Sequence, residues 1–401
     1  MTPTTCGGVG HRIAAARVAR RMTQKQLAEA ACISLSMLRK VEQGSRRPSD
    51  HVLNSLAGAL AVNPKRLIGE RAHSSSRVHT ILPALRAAID TDDLPEDGPA
   101  RSLTELRAAV ETVTRLRLAS QYARIALDQD KEFIDEGGLP GLLNELARAV
   151  QNTHGRDREQ AAALLVMAYR AADGIAFKYR YYDLSSHIIH LMRWLAGLSG
   201  DAILEAAVAY VRAETFFASQ TLDVGLRRLE SAIDAVPAGR SINSNAARGA
   251  LHMRAAVTAG RLSDGDSAWL HLREARRLAR DLPEAVYHGT AFGPSSVHIH
   301  EVSVAMELGS PEKAVELARQ WIPARELPAE RRSHYYIDLA RAQIWLGLRQ
   351  DSFESLQIAR RIAPQNTREH PYVRETLLRL LRLYLSPPES LVTYAGWARA
   401  I

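Results

Sequence analysis

From about residue 101 to residue 401, apolar side chains recur at helical spacing almost without a break. No run alternates apolar and polar residues as a half-buried strand would, so helix-on-helix packing is the core open to this stretch. One spacing recurs within it. Ala213, Phe216, Gly225, Leu229, Ala232 and Pro237 are separated by 3, 9, 4, 3 and 5 residues, and Ala340, Gln343, Ser352, Leu356, Ala359 and Pro364 repeat those intervals 127 residues later. That offset is close to three units of about 42 residues, with degenerate copies between them in "AVTAGRLSDGDSAWLHLREARRLA" and "AMELGSPEKAVELARQ". Small residues at these positions let antiparallel helices approach closely, while the aromatic or leucine fills the space between neighbouring pairs. Stacked pairs of this kind curve and present a concave surface suited to peptides or partner proteins.

The first fifth of the chain differs in charge and in rhythm. Residues 1–76 hold 12 of the 52 basic residues and 4 of the 44 acidic ones, a net of +8; the remainder carries 40 of each and is neutral. A concentrated basic excess attracts polyanions. A membrane surface would require a basic amphipathic helix with large apolar residues opposite, which this segment does not supply cleanly. About five short helices are expected here. Ile13 and Ala16 mark the inner face of the first. Thr23 caps the second, with Gln26 at capping-box spacing and Leu27, Ala28 and Ala31 inside. Ser34 caps a third with Leu38 and Val41 inside, and Gly44 ends it. Ser49 or Asp50 opens a fourth through Val52, Leu53, Leu56 and Leu60, and Asn63–Pro64 opens the last.

Residues from about 12 to 70 resemble the lambda-repressor-like, XRE-type helix-turn-helix domain, through Ile13, Arg17, "TQKQLA", Ile33–Ser34, Leu38, Glu42, Gly44, Pro48 and "LNSLAGAL". The resemblance implies that Arg17 and Glu42 form a structural ion pair and that Gln24 touches phosphate or a base edge. Leu38 and Val41 point inward, so Leu35, Ser36, Arg39 and Lys40 are expected to face DNA, with Arg and Lys donating to guanine and Leu35 packing on a thymine methyl. Arg46 and Arg47 follow in a loop, where phosphate contact is expected. Cys32 stands in the turn where this family usually has glycine or another small residue, and it is read as a packing cysteine.

The later repeats resemble tetratricopeptide repeats, with Tyr336, Leu339, Ala340, Gly347, Leu356, Ala359 and Pro364 at signature positions. The combination is similar to bacterial peptide-pheromone-receptor regulators and to related regulators of high-GC Gram-positive bacteria; "FGPSSVHIHEVSVAMELG" (292–309) resembles a phrase the latter carry.

Other chemistry is thin. "FKYRYYD" interleaves aromatic and basic residues; it reads first as a packing interface between helices, and Tyr179, Arg180 and Tyr182 are the candidates for a ligand groove. His288, His298 and His300 lack a carboxylate or cysteine to complete a metal site, so neither metal nor cofactor is expected. No phosphate-cradling loop or nucleophile elbow is present, and an enzyme is not expected. With two cysteines, no signal-peptide core in "MTPTTCGGVGHR" and no apolar run of about 20 residues, a cytoplasmic protein is expected.

The sequence therefore predicts an all-α protein: a five-helix head (1–72), a Ser-rich linker (73–80) and a tetratricopeptide-like α-solenoid (81–401). The expected function is a regulator binding double-stranded operator DNA at repeated half-sites as a homodimer. Its solenoid would take a peptide, a small molecule or a partner protein. The alternative is an interaction scaffold whose head binds protein.

Overall fold

The computed structural model describes residues 9–20, 22–46, 48–60, 67, 78–95, 97–98, 101–127, 137–237 and 241–401. Among them the regular elements are helices apart from one short hairpin, so the fold is all-α. The chain divides into two compact units, residues 1–80 and 81–401.

The first unit holds α1 (Val9–Ala19), α2 (Gln24–Ala30), α3 (Leu35–Glu42) and α4 (Asp50–Ala59). Local chemistry fixes where the later helices start. Thr23 Oγ1 accepts from Gln26 N at 3.2 Å while Gln26 Oε1 accepts from Thr23 N at 2.8 Å, a reciprocal capping box. Ser34 and Ser49 accept in the same way from Met37 N (3.1 Å) and Val52 N (3.4 Å). Ile13, Leu27, Leu38, Val41, Leu53, Leu56 and Leu60 bury together, and Leu67 joins them. The fifth helix expected after Asn63–Pro64 otherwise lies outside the described residues, as does most of the expected linker. Residues 78–80, expected to end that linker, already belong to α5 (Val78–Asp90).

The turn between α2 and α3 corrects the reading of Cys32. Its backbone is left-handed (φ 52°), with Cys32 N donating to Glu29 O and Ile33 N to Ala28 O. This Schellman closure favours glycine, and a Cβ there costs roughly 1 kcal/mol. The side chain is exposed, so Cys32 does not pack.

The second unit continues with α6 (Leu103–Leu118), α7 (Tyr122–Leu127) and α8 (Gly138–Asn152). Five helix pairs follow: α9 and α10 (Gly155–Lys178, Tyr182–Ser199), α11 and α12 (Ala202–Ser219, Leu222–Ala235), α13 and α14 (Ile242–Arg261, Gly265–Ala279), α15 and α16 (Pro294–Glu307, Pro311–Ala318), and α17 and α18 (Ala329–Trp345, Arg349–Ile362). Short helices α19 (Pro364–Glu369), α20 (Pro371–Arg382) and α21 (Glu389–Trp397) close the unit. Helices within a pair pack along their length, and α11, α13, α15 and α17 also pack successively on one another as an inner layer.

The repeated spacing has a physical basis. A Cβ on Gly225 would sit 2.9 Å from Phe216 Cβ, so the small residue is what lets α12 close on α11. In the matching copy Ser352 Oγ donates to Ala340 O at 2.8 Å, which draws α18 onto α17. The stack curls far enough for Gln365 Oε1, on α19, to accept from Ala123 N, on α7, at 3.1 Å.

One element was not expected. Residues 285–292 form an antiparallel hairpin, β1 (Ala285–Tyr287) and β2 (Thr290–Phe292), closed by His288 and Gly289, both at positive φ (47° and 73°). Two positive φ values are the hallmark of the tight turn whose twist matches a hairpin. Strands of three residues are too short to show alternation. No helix of the described residues is long and apolar enough to cross a membrane.

The hairpin is seated by Phe292, fully buried against Gly249 of α13, where a Cβ would lie 1.9 Å from the phenyl Cζ. Gly249→Ala should therefore destabilise the protein by about 1–3 kcal/mol through overpacking, outweighing the roughly 1 kcal/mol of helix propensity that alanine adds. Urea unfolding measures this, and Phe292→Leu in the same chain should recover part of the loss.

Candidate nucleic-acid interface and a charged cavity

In the first unit, α3 is held by charge as well as by its apolar face. Arg17 of α1 donates through Nε to Glu42 Oε1 (2.8 Å) and through Nη2 to Glu42 Oε2 (3.0 Å), a two-point ion pair largely shielded from water. The hydrogen bond to Glu42 raises the Arg17 pKa, against burial. Gln24 Nε2 donates to the same carboxylate at 2.6 Å. One residue of α3 thus ties α1, α2 and α3 together.

That clamp leaves a definite set of side chains outward. Ser36, Arg39, Lys40 and Arg46 are exposed, and neither Arg39 nor Lys40 has a carboxylate partner among the described residues. Leu35 is half-buried against the core, so it is turned further inward than the sequence pattern suggested. Gln24, half-buried, is engaged by Glu42 rather than free. Arg47 lies outside the described residues.

A second candidate lies within the second unit. The inner helices and the hairpin surround a cavity of about 390 Å³, within the size range of small-molecule pockets. Its wall is unusually charged. Arg117 Nη2 donates to Gly289 O (2.6 Å), and Arg170 donates to His288 O and to Thr290 Oγ1 (both 2.5 Å), so two guanidiniums hold the hairpin turn against the cavity. Burial and the neighbouring Arg117 push Arg170 down to about 9. Arg331 donates to the Tyr210 hydroxyl at 2.6 Å, and Arg254 stacks 4.0 Å above the Tyr210 ring. Burial alone would raise the Tyr210 hydroxyl, but Arg254 and Arg331 outweigh it and hold it below its ordinary range. Burial, with Glu214 nearby, pushes Asp173 well up, although Ser185 Oγ donates to it at 2.6 Å.

The other side of the cavity holds His334, in contact with Lys178 Nζ at 3.1 Å, and His370, whose ring meets His334 edge-on at 4.9 Å. Burial and then Lys178 depress His334 to about 3. Lys178 also pairs with Glu330 at 2.9 Å; against its burial, Lys178 and His334 hold Glu330 well below the usual carboxylate range.

Of the residues singled out for a ligand groove, Arg180 and Tyr182 line this cavity. Tyr179 does not; it is buried with its ring edge-on to Tyr122 at 6.4 Å. His300 is a cavity residue, its Nδ1 donating to Ser296 O (2.7 Å) with Nε2 beside Arg331, whereas His298 lies against Trp321. Among the described residues no group of three potential ligands could hold a metal ion. The cavity arginines and Tyr210 were missed, because they come from positions 117 to 331, on α6, α9, α11, α13 and α17, and only the curvature gathers them.

Residues 13–67 match the Helix-turn-helix family. Within that span α2 and α3, with the turn at Cys32, form the helix-turn-helix. The immunity repressor protein of Bacillus phage phi105 is 44% identical over 62 residues, covering 16% of this chain and 43% of that repressor, so the chain spans less than half of that relative. Among solved structures, Bacillus thuringiensis PlcR in complex with the peptide PapR7 and DNA is 16% identical, with a TM-score of 0.30 over 69% of this chain and 95% of that one. PrgX is 10% identical, with a TM-score of 0.27 over 96% of this chain and 98% of its own.

The helix-turn-helix geometry makes Glu42 its keystone. Glu42→Ala strands Arg17 and Gln24 and should cost about 2–3 kcal/mol, below the range for fully buried pairs because Arg17 retains some water contact. Hydrogen exchange of α1–α3 amides reads this loss without interference from the second unit. The cavity predicts a pH dependence. His334 must be neutral in the fold, so its contribution is complete above the unfolded value of about 6.5 and is lost as pH falls toward about 3. The depressed Glu330 adds to the loss below about 4.5. Urea midpoints should fall across that window, and His334→Asn should flatten the upper part of the slope.

Proposed function

We propose that this protein is a sequence-specific DNA-binding transcriptional regulator whose second unit senses an effector. The observation carrying the first half is the outward face of α3: Ser36, Arg39 and Lys40 are exposed on a helix anchored from behind by Arg17 and Glu42. Such a helix enters the major groove, where arginine and lysine donate to guanine and serine contacts base or phosphate. Arg46 follows on the loop and meets phosphate, and we assign Arg47 the same role from its place in the sequence. The basic excess confined to residues 1–76 supplies the non-specific attraction. The 44% identity to a phage repressor across this segment supports the same reading. Gln24 and Leu35 are secondary contacts in this account, since each is already engaged within the unit.

One head contacts only a short half-site, so we infer a homodimer on repeated half-sites. The cavity supports the second half, because its size and charged lining suit a small molecule or a short peptide segment. A bound effector shifts the DNA-binding equilibrium only as far as it prefers one arrangement of the dimer over another.

The test is a variant series against DNA selected from a random pool by the full chain. Arg39→Ala and Lys40→Ala should each cost about 1–3 kcal/mol on the selected site and relax preference at one base pair. Arg46→Ala should weaken selected and scrambled DNA alike and lower the salt slope by about one contact. Equal loss on every DNA from Lys40→Ala would remove it as a base reader.

A further inference from the structure

Charge is balanced unevenly around the cavity. On one side each carboxylate has its cation: Glu330 pairs with Lys178 (2.9 Å), Glu307 and Asp338 with Arg341 (3.3 and 3.0 Å), and Glu369 with Arg374 (3.2 Å). Around Tyr210 the balance reverses. Arg117 and Arg170 donate to hairpin carbonyls and the Thr290 hydroxyl, and Arg331 to the Tyr210 hydroxyl with His300 Nε2 at 3.2 Å. Among the described residues none of these three has a carboxylate within ion-pair distance. Arg254 has Glu214 at 3.8 Å, beyond hydrogen-bond reach, and its buried Nε finds no acceptor.

Four guanidiniums thus converge around Tyr210; of the nearby acids, burial pushes Glu214 and Asp173 up, and Glu330, which also faces Arg331 and Arg117, is already paired with Lys178. A buried cation whose hydrogen bonds all go to neutral acceptors is poorly compensated, and an anion entering the site would correct that. Guanidiniums present planar paired donors suited to carboxylate and phosphate alike. Phe177 and Phe217 on the same wall offer apolar surface for the rest of such a molecule.

We infer that the Tyr210 side of the cavity binds the carboxylate or phosphate of a small anionic ligand, with Arg254 and Arg331 as its donors. This rests on the effector reading of the second unit and gives that effector a chemical class. Arg117 and Arg170 stay with the hairpin turn and add their field from behind.

The test uses the full chain and three probes: 3-phenylpropionate, phenyl phosphate and the neutral 3-phenylpropionamide, each titrated calorimetrically into the protein, Arg254→Gln, Arg254→Lys and Arg331→Gln. At least one anion should bind, and the amide should bind tenfold or more weakly than its acid. Arg254→Gln should lose tenfold or more, and Arg254→Lys should recover part of the loss. Which anion binds more tightly separates a carboxylate ligand from a phosphate one. Thermal unfolding of each variant shows that it is folded, and because the Arg254 guanidinium has no hydrogen-bonded partner among the described residues, Arg254→Gln remains informative even where Arg331→Gln fails to fold. No anion binding up to about 10 mM, an amide as tight as its acid, or binding indifferent to Arg254 would each overturn the inference. Selected-DNA affinity is measured alongside. A chain that keeps it while ignoring anions loses this inference alone, whereas a chain without it loses the regulator reading.

Discussion

Close approach within helix pairs governs the second unit. Where Gly225 meets Phe216 and Ser352 reaches the Ala340 carbonyl, the paired helices sit nearer than larger side chains allow. The first helices of successive pairs then pack on one another, and the stack curls until Gln365 bonds to the backbone of Ala123, 242 residues away. Curvature turns the inner face of the stack into a cavity. The polar groups collected there must find partners among themselves, the hairpin turn, water or a ligand.

The hairpin shows how strongly that requirement acts. Its tight turn directs the His288 and Gly289 carbonyls at Arg170 and Arg117, while Phe292 anchors its base against Gly249. Two buried cations thereby donate to backbone carbonyls, with the Thr290 hydroxyl taking a further bond from Arg170, although none of these acceptors carries a charge. The head uses a smaller version of the same device, with Glu42 serving Arg17 and Gln24 together. Fixing Glu42 orients α3 and leaves Arg39 and Lys40 uncommitted on its other side.

How much of this could be read beforehand follows from the distance over which each signal acts. Thr23, Ser34 and Ser49 cap their helices through bonds to residues three positions on, so the helix starts were legible. The Arg17–Glu42 pair was available through family resemblance alone, and the engagement of Gln24 by that carboxylate was not foreseen. Cys32 was misjudged because packing was assumed for a residue that the turn geometry places outside. Arg180 and Tyr182 were found as an aromatic–basic cluster, yet the same cluster sent Tyr179 into the core against Tyr122. Arg254 and Arg331 carry no local mark, since helix surfaces hold many arginines and only the fold faces these two toward Tyr210.

The central claim is that the head reads DNA sequence while the basic excess supplies general attraction. The most direct measurement is the affinity of the full chain for its selected DNA and for a scrambled duplex across a range of salt. The account predicts affinity falling steeply with salt for both, and a preference for the selected site of about a thousandfold or more. Affinity indifferent to salt, or equal for the two duplexes at every salt concentration, would contradict it.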